Sequence, residues 1–215
     1  MRAKPKTTQE EVLALLRVEI LTGSLQPGQQ IVQDLLAEKF GVSRVPLREA
    51  LKILEGEGQV THHLHRGYFV AELSINDLQE VYRLRAILER EAVSAAVSNI
   101  TDRDLLAIAE FAAQVRNATK SSEVLAITAA NRAFHFAIFE LSEMPRLVRL
   151  LRQLWDATDV YRSVYFTQAA NRERILLEHD EILDALSSRS VARSIRWHDT
   201  HRENSVASVS AVIAG

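Results

Sequence analysis

Apolar residues recur three and four positions apart along most of the chain, with polar residues between them, which is the period of an amphipathic helix. The first stripe, Val12, Leu15, Leu16 and Ile20, predicts a helix over 9–21, capped by Thr8 and stopped by Gly23. Leu25-Gln26-Pro27-Gly28 reads as a turn and Ile31-Val32 as a short extended piece. Leu35, Leu36 and Phe40 predict a second helix over 34–40, ended by Gly41 in a left-handed position with Val42 as an apolar plug. A third helix over 43–57 has Pro46 in its first turn, where the missing N–H costs nothing, and Val45, Leu47, Leu51 and Leu54 as its core face. Residues 59–63 and 68–73 read as two strands around a polar tip, His63-Leu64-His65-Arg66-Gly67.

The grammar changes near Glu72-Leu73-Ser74. Of seven glycines, six lie at or before Gly67 and the seventh, Gly215, ends the chain. Long helices with tight connections follow. Ser74 caps one over 75–98, with Leu78, Val81, Tyr82, Leu84, Leu88 and Ala92 as its apolar positions. Thr101 caps the next, with Asp104 at its third position. Further stripes cover 123–141, 145–165, 171–186 and 190–212. The chain is thus expected to be mainly α, with a first domain over 1–73 and an all-α bundle of about six helices over 74–215.

Composition changes this picture little: 47% hydrophobic and 25% charged residues in 215 exclude wholesale disorder. No cysteine is present, which excludes a disulfide scaffold, a zinc ribbon and a thiol nucleophile. No apolar run approaches the roughly 20 residues of a membrane helix, so a cytoplasmic protein without a membrane partner is expected. The net charge of -2 looks wrong for a nucleic-acid binder. Residues 1–73 balance nine basic against nine acidic side chains, so any DNA contact must come from local placement. Arg44, Arg48 and Lys52, at i, i+4 and i+8, form one cationic row on the third helix. A helix, a tight glycine turn and a cationic helix follow the logic of a helix-turn-helix, and two strands after it make a wing whose tip carries Arg66. The same row also fits an ordinary solvated face. His62, His63 and His65 read as an exposed loop.

In the helical half, Asn131 and His135 share a helix face in an otherwise apolar stripe, His179 follows Glu178 on a later helix, and His198 and His201 lie on the last. Three imidazoles and an amide oxygen would satisfy a metal with positions left open, and no cysteine competes. Scattered core or surface histidines are the alternative. A metal-dependent hydrolase would need a general base, and Glu178 points away from His179 on its helix. Trp155, Tyr161 and Tyr165 fit either a pocket lining or core packing.

Ile20-Leu21-Thr22-Gly23-Ser24-Leu25-Gln26-Pro27-Gly28 resembles the opening of GntR-family winged-helix regulators. Leu36-Ala37-Glu38-Lys39-Phe40-Gly41-Val42-Ser43-Arg44-Val45-Pro46-Leu47-Arg48-Glu49-Ala50-Leu51 is similar to their helix-turn-helix signature, and Arg66-Gly67-Tyr68-Phe69-Val70 to their wing. The resemblance implies that Ser43, Arg44, Arg48, Arg66 and Gly67 contact operator DNA. Val45 stands where many relatives have Thr, and Lys52 extends the row. The second half resembles the FCD effector domain of the FadR-like branch, through Tyr82-Arg83-Leu84-Arg85-Ala86-Ile87-Leu88-Glu89, the 131–135 run, Glu178-His179 and His201. This implies Arg85 in an effector pocket and a divalent metal on His135, His179 and His201, zinc first, with nickel or manganese as alternatives. His198 matches nothing in that pattern. Asn131 departs from the usual Asp, leaving an extra positive charge that favours a small organic acid as effector. Control of operator affinity by that acid, in a homodimer, is the expected function.

Overall fold

The computed structural model describes residues 7–121, 123–158, 161 and 165–214. The chain divides into two compact units, Met1–Leu73 and Ser74–Gly215.

The first unit opens with helix α1, Thr8–Leu21. Its cap is Thr7, one residue before the expected Thr8, because Thr7 and Glu10 exchange side-chain bonds in a capping box. Strand β1 (Gln30–Ile31) precedes α2 (Gln33–Phe40) and α3 (Arg44–Gly56). Gly41 turns the chain between the two helices at φ 66°, a backbone that a side chain would strain. Strands β2 (Val60–His63) and β3 (Gly67–Val70) close an antiparallel sheet of order β1-β3-β2, with Ile31 opposite Tyr68 and Val60 opposite Val70. Val12, Leu16, Leu47, Leu51 and Leu54 are fully buried among them.

Two expectations for this core fail. Leu35 is 63% and Val45 65% exposed. At 100° per residue, the buried row Leu47, Ala50, Leu51 and Leu54 puts Val45 on the opposite face of α3. On α2 the inward pair is Leu36 and Ala37, which turns Leu35 out.

The second unit holds six α-helices among the described residues. They are α4 (Ile75–Asn99), α5 (Asp102–Ser121), α6 (Val124–Phe139), α7 (Pro145–Ala157), α8 (Ala169–Ser187) and α9 (Val191–Ala214). A 3-10 turn, Glu140–Ser142, extends α6. Ser74 caps α4, and Thr101 and Asp104 cap α5 reciprocally. Helix α4 packs on α7 and α9, α5 on α6 and α8, and α8 on α9.

The expected helix over 145–165 stops at Ala157, with Thr158 outside helical geometry; residues 159–160 and 162–164 of that prediction lie outside the described residues. Val124–Ser142 is, against expectation, long and apolar enough to cross a membrane by length and composition alone. It is a core helix instead, burying Ile127, Phe134, Ile138 and Phe139 together with the polar Asn131 and His135. On α4, Leu84 is 44% exposed, not buried, and the inward row is Leu78, Tyr82, Arg85, Glu89, Ala92 and Ala96. Two charged residues thus occupy core positions.

Candidate metal centre and nucleic-acid interface

Helix α3 presents Arg44, Val45, Arg48 and Lys52 outward, and Ser43 caps it without a side-chain bond. The first turn of α2 holds both arginines. Arg44 pairs with Asp34, and Arg48 Nε donates to Gln33 Oε1 at 3.0 Å. Both members of the Arg44–Asp34 pair are 61% exposed, so water screens it and another anion can replace Asp34 cheaply. Arg66 precedes β3, its guanidinium 5.4 Å from the Phe69 ring, and Gly67 has φ 86°. Sequence reasoning missed Gln33 and Asp34, since a polar first turn of a helix is unremarkable.

In the second unit, α6, α8 and α9 bring His135, His179 and His201 together, with their ligand atoms within 4.8 Å of one another and all three buried. His135 Nε2 and His201 Nε2 stand 3.2 Å apart. Two nitrogens bound to one ion at roughly 2.0–2.1 Å lie about 3.0–3.4 Å apart, so this pair already has a ligand spacing. His201 Nδ1 donates to Glu178 Oε2 at 2.6 Å, which fixes its tautomer and leaves the Nε2 lone pair facing the gap. Asn204 donates to the other Glu178 oxygen at 2.6 Å. Glu178 turns away from His179 as expected, yet it orients His201, a role that its own helix did not reveal. Both nitrogens of His179, His135 Nδ1 and Asn131 Oδ1 are buried without a hydrogen-bond partner. Buried polar atoms without partners are uncommon, and here His179 has a nitrogen free for an ion beside the His135 and His201 Nε2 atoms, the chemistry of a divalent-ion site. Burial pushes the His135 and His179 imidazoles well below their ordinary range, and neighbouring imidazoles add to this, so both are in the neutral form that binds metal.

His198 lies beside this cluster, its ring 5.9 Å from that of His135. Its Nδ1 donates to Ser194 O at 2.8 Å, and burial lowers its pKa to about 4. It does not converge with the other three.

Beside His201 lies a small cavity of about 20 Å³, room for roughly one water. Tyr82, Arg85, Asn131, Trp155, Tyr165, His201 and Arg202 border it. Trp155 and Tyr165 therefore line the pocket. Tyr161 does not: its hydroxyl donates to Asp77 at 2.9 Å, at the start of α4. Arg85 stacks on Trp155 and Tyr82, 4.2 and 4.5 Å from the ring centres. Its charge is not left open, because Nε donates to Glu89 Oε1 at 2.8 Å. Trp155 Nε1 donates to the same oxygen at 2.8 Å, and Arg202 Nη1 to the other at 2.9 Å. Burial alone would raise the Glu89 pKa, but Arg85 and Arg202 overcome it and hold the carboxyl at about 2.

The gntR model for bacterial regulatory proteins matches residues 8–70, and the FCD domain model matches residues 80–204, more than half of the chain. The chain belongs to the GntR family, with an FCD domain. The HTH-type regulator YdhC of Bacillus subtilis is 28% identical over 81% of this chain and 79% of its own length. The HTH-type regulator McbR of Escherichia coli is 34% identical over 65% of this chain and 63% of itself, and the repressor GlaR of the same organism 26% over 93% and 94%. The solved structure of E. coli McbR/YncC superposes with a TM-score of 0.85 at 25% identity, covering 97% of this chain and all of that one. This GntR regulator is therefore a DNA-binding transcription regulator with an FCD effector-binding domain, not an enzyme.

Proposed function

We propose that this regulator binds operator DNA as a cytoplasmic homodimer and that a small organic acid, bound beside a divalent metal in the FCD unit, changes its operator affinity. The observation that carries the reading is the convergence of three buried imidazoles, one of which, His201, borders a cavity together with the unpartnered amide of Asn131 and the buried Arg85. His135, His179 and His201 hold the ion through nitrogen and Asn131 through oxygen. When bound, the metal supplies a Lewis-acidic site for one oxygen of the acid. Arg85 offers its remaining N–H donors to the carboxylate. Dimerisation follows from DNA reading: one short recognition helix meets few bases, and a two-fold pair of half-sites multiplies specificity.

At the DNA, Ser43, Arg44, Val45, Arg48 and Lys52 of α3 enter the major groove, and Arg66 and Gly67 at the wing reach the adjacent groove or backbone. Arg44→Ala or Arg48→Ala should each weaken operator binding by about 1–3 kcal/mol if a base contact is lost. Loss of a phosphate contact should instead weaken all duplexes equally and flatten the salt dependence. Fluorescence anisotropy against operator and random duplex, over a salt series, separates the two. Unchanged affinity in both variants, with intact folds, removes α3 from the reading role.

For the effector, calorimetry against a panel of short acids and their neutral amides should find binding of acids only. Arg85→Ala should lose that binding. A wild-type preference for the amides refutes the acid reading.

A further inference from the structure

Among the described residues two guanidinium groups, not one, border the inner cavity. Arg85 enters from α4 and Arg202 from α9, and both side chains are only 5% exposed. They share one buried carboxylate, Glu89, through bonds of 2.8 and 2.9 Å to its two oxygens. Arg202 also pairs with Asp199, but Asp199 is shared with Arg90 at 2.8 Å, and Arg90 is half in water. That outer pair balances itself. Among the described residues, the inner set of two guanidiniums and one carboxylate keeps a single net positive charge in a site with little room for counter-ions. Buried charge left without a partner is costly, so this surplus decides what can enter.

We propose that Arg202 is a second anion-binding residue of the cavity and that Glu89 sets the number of carboxylates accepted at the arginine end to one. This rests on the acid-binding reading above. A first carboxylate cancels the surplus. A second at the same end lies beside Glu89 with no further guanidinium among the described residues to meet it, and like charges so close in a dry site repel strongly. The class of ligand is thus a short acid with one carboxylate at this end and a hydroxyl or oxo oxygen on the side of the histidines. Glu89 acts as a specificity-determining residue that need not touch the acid.

Two probes with the same hydroxy-acid skeleton test this: glycolate, with one carboxylate, and tartronate, with two on the same carbon. Calorimetry of the metal-loaded full-length protein gives the ratio of their affinities. Wild type should prefer glycolate. Glu89→Gln raises the net charge to two and should shift the ratio toward tartronate by at least about tenfold. Arg202→Gln lowers it to zero and should weaken both acids, tartronate more. The double variant Glu89→Gln/Arg202→Gln restores a surplus of one. It should return the ratio to the wild-type value and melt closer to wild type than either single variant, so misfolding of one single variant does not remove the test. If Arg85→Ala abolishes glycolate binding while the ratio stays fixed in the Glu89 and double variants, the acid pocket stands and the charge rule falls. If no acid binds wild type or any variant, the pocket reading falls and the rule with it.

Discussion

Replacing Glu89 by alanine should cost the fold about 3–5 kcal/mol at neutral pH, because it leaves the buried Arg85 without its carboxylate and the buried Arg202 with Asp199 alone. Urea unfolding of wild type and variant measures this, and a loss under about 1 kcal/mol would show that water reaches the site. The effect should depend on pH in one direction. Glu89 has its carboxyl lowered from 4.5 to about 2 in the fold, so its contribution is complete above the unfolded value and disappears as the pH falls from about 4.5 toward 2. Across that window wild type should lose about 3 kcal/mol that the alanine variant has already lost, and the two unfolding curves should converge.

Zinc added to metal-free protein at a hundredfold excess over its dissociation constant should stabilise the fold by about 2.7 kcal/mol, a rise in Tm of about 5–10 °C for a chain of this size. Single replacements of His135, His179 or His201 by alanine should abolish the rise. Glu178→Gln leaves all three imidazoles in place but weakens the acceptor that orients His201, and should lower metal affinity by about 10- to 100-fold. Asn131→Asp should raise it, since a carboxylate is a stronger donor than an amide. Differential scanning calorimetry with elemental analysis checks the series. An undiminished rise in a variant lacking all three histidines would place the ion elsewhere.

The DNA-binding unit was legible because its signals are local: a cap, a glycine turn, a proline in a first turn and an alternating pair of strands. Its errors, Leu35 and Val45, came from reading apolar character as burial without fixing the phase of the helix. The histidines were legible only as candidates, through the four-residue spacing of Asn131 and His135 and a family resemblance. Arg202, Glu89 and the orientation of Glu178 were not, because each is explained by a partner on another helix and a charged residue in a helix reads as surface. One signal was available. Positions 78, 82, 85, 89, 92 and 96 alternate steps of four and three, the inner row of a packed helix, and Arg85 and Glu89 fall on it. A charged pair in phase with a core stripe is a buried ion pair in waiting.

The cavity beside His201, about 20 Å³, has a consequence for the acid binding proposed above. An acid larger than water, bound there as proposed, would need the lining groups to move apart, and the population of that wider arrangement would enter its affinity. Its measured dissociation constant is then the intrinsic one divided by the fraction of molecules in that arrangement, and a fraction of about 1% makes binding look about a hundredfold weaker. Under the proposed acid reading, sensitivity would then be adjustable from a distance: a substitution in the bundle that favours the wider arrangement would lower the response threshold without altering a single contact to the ligand.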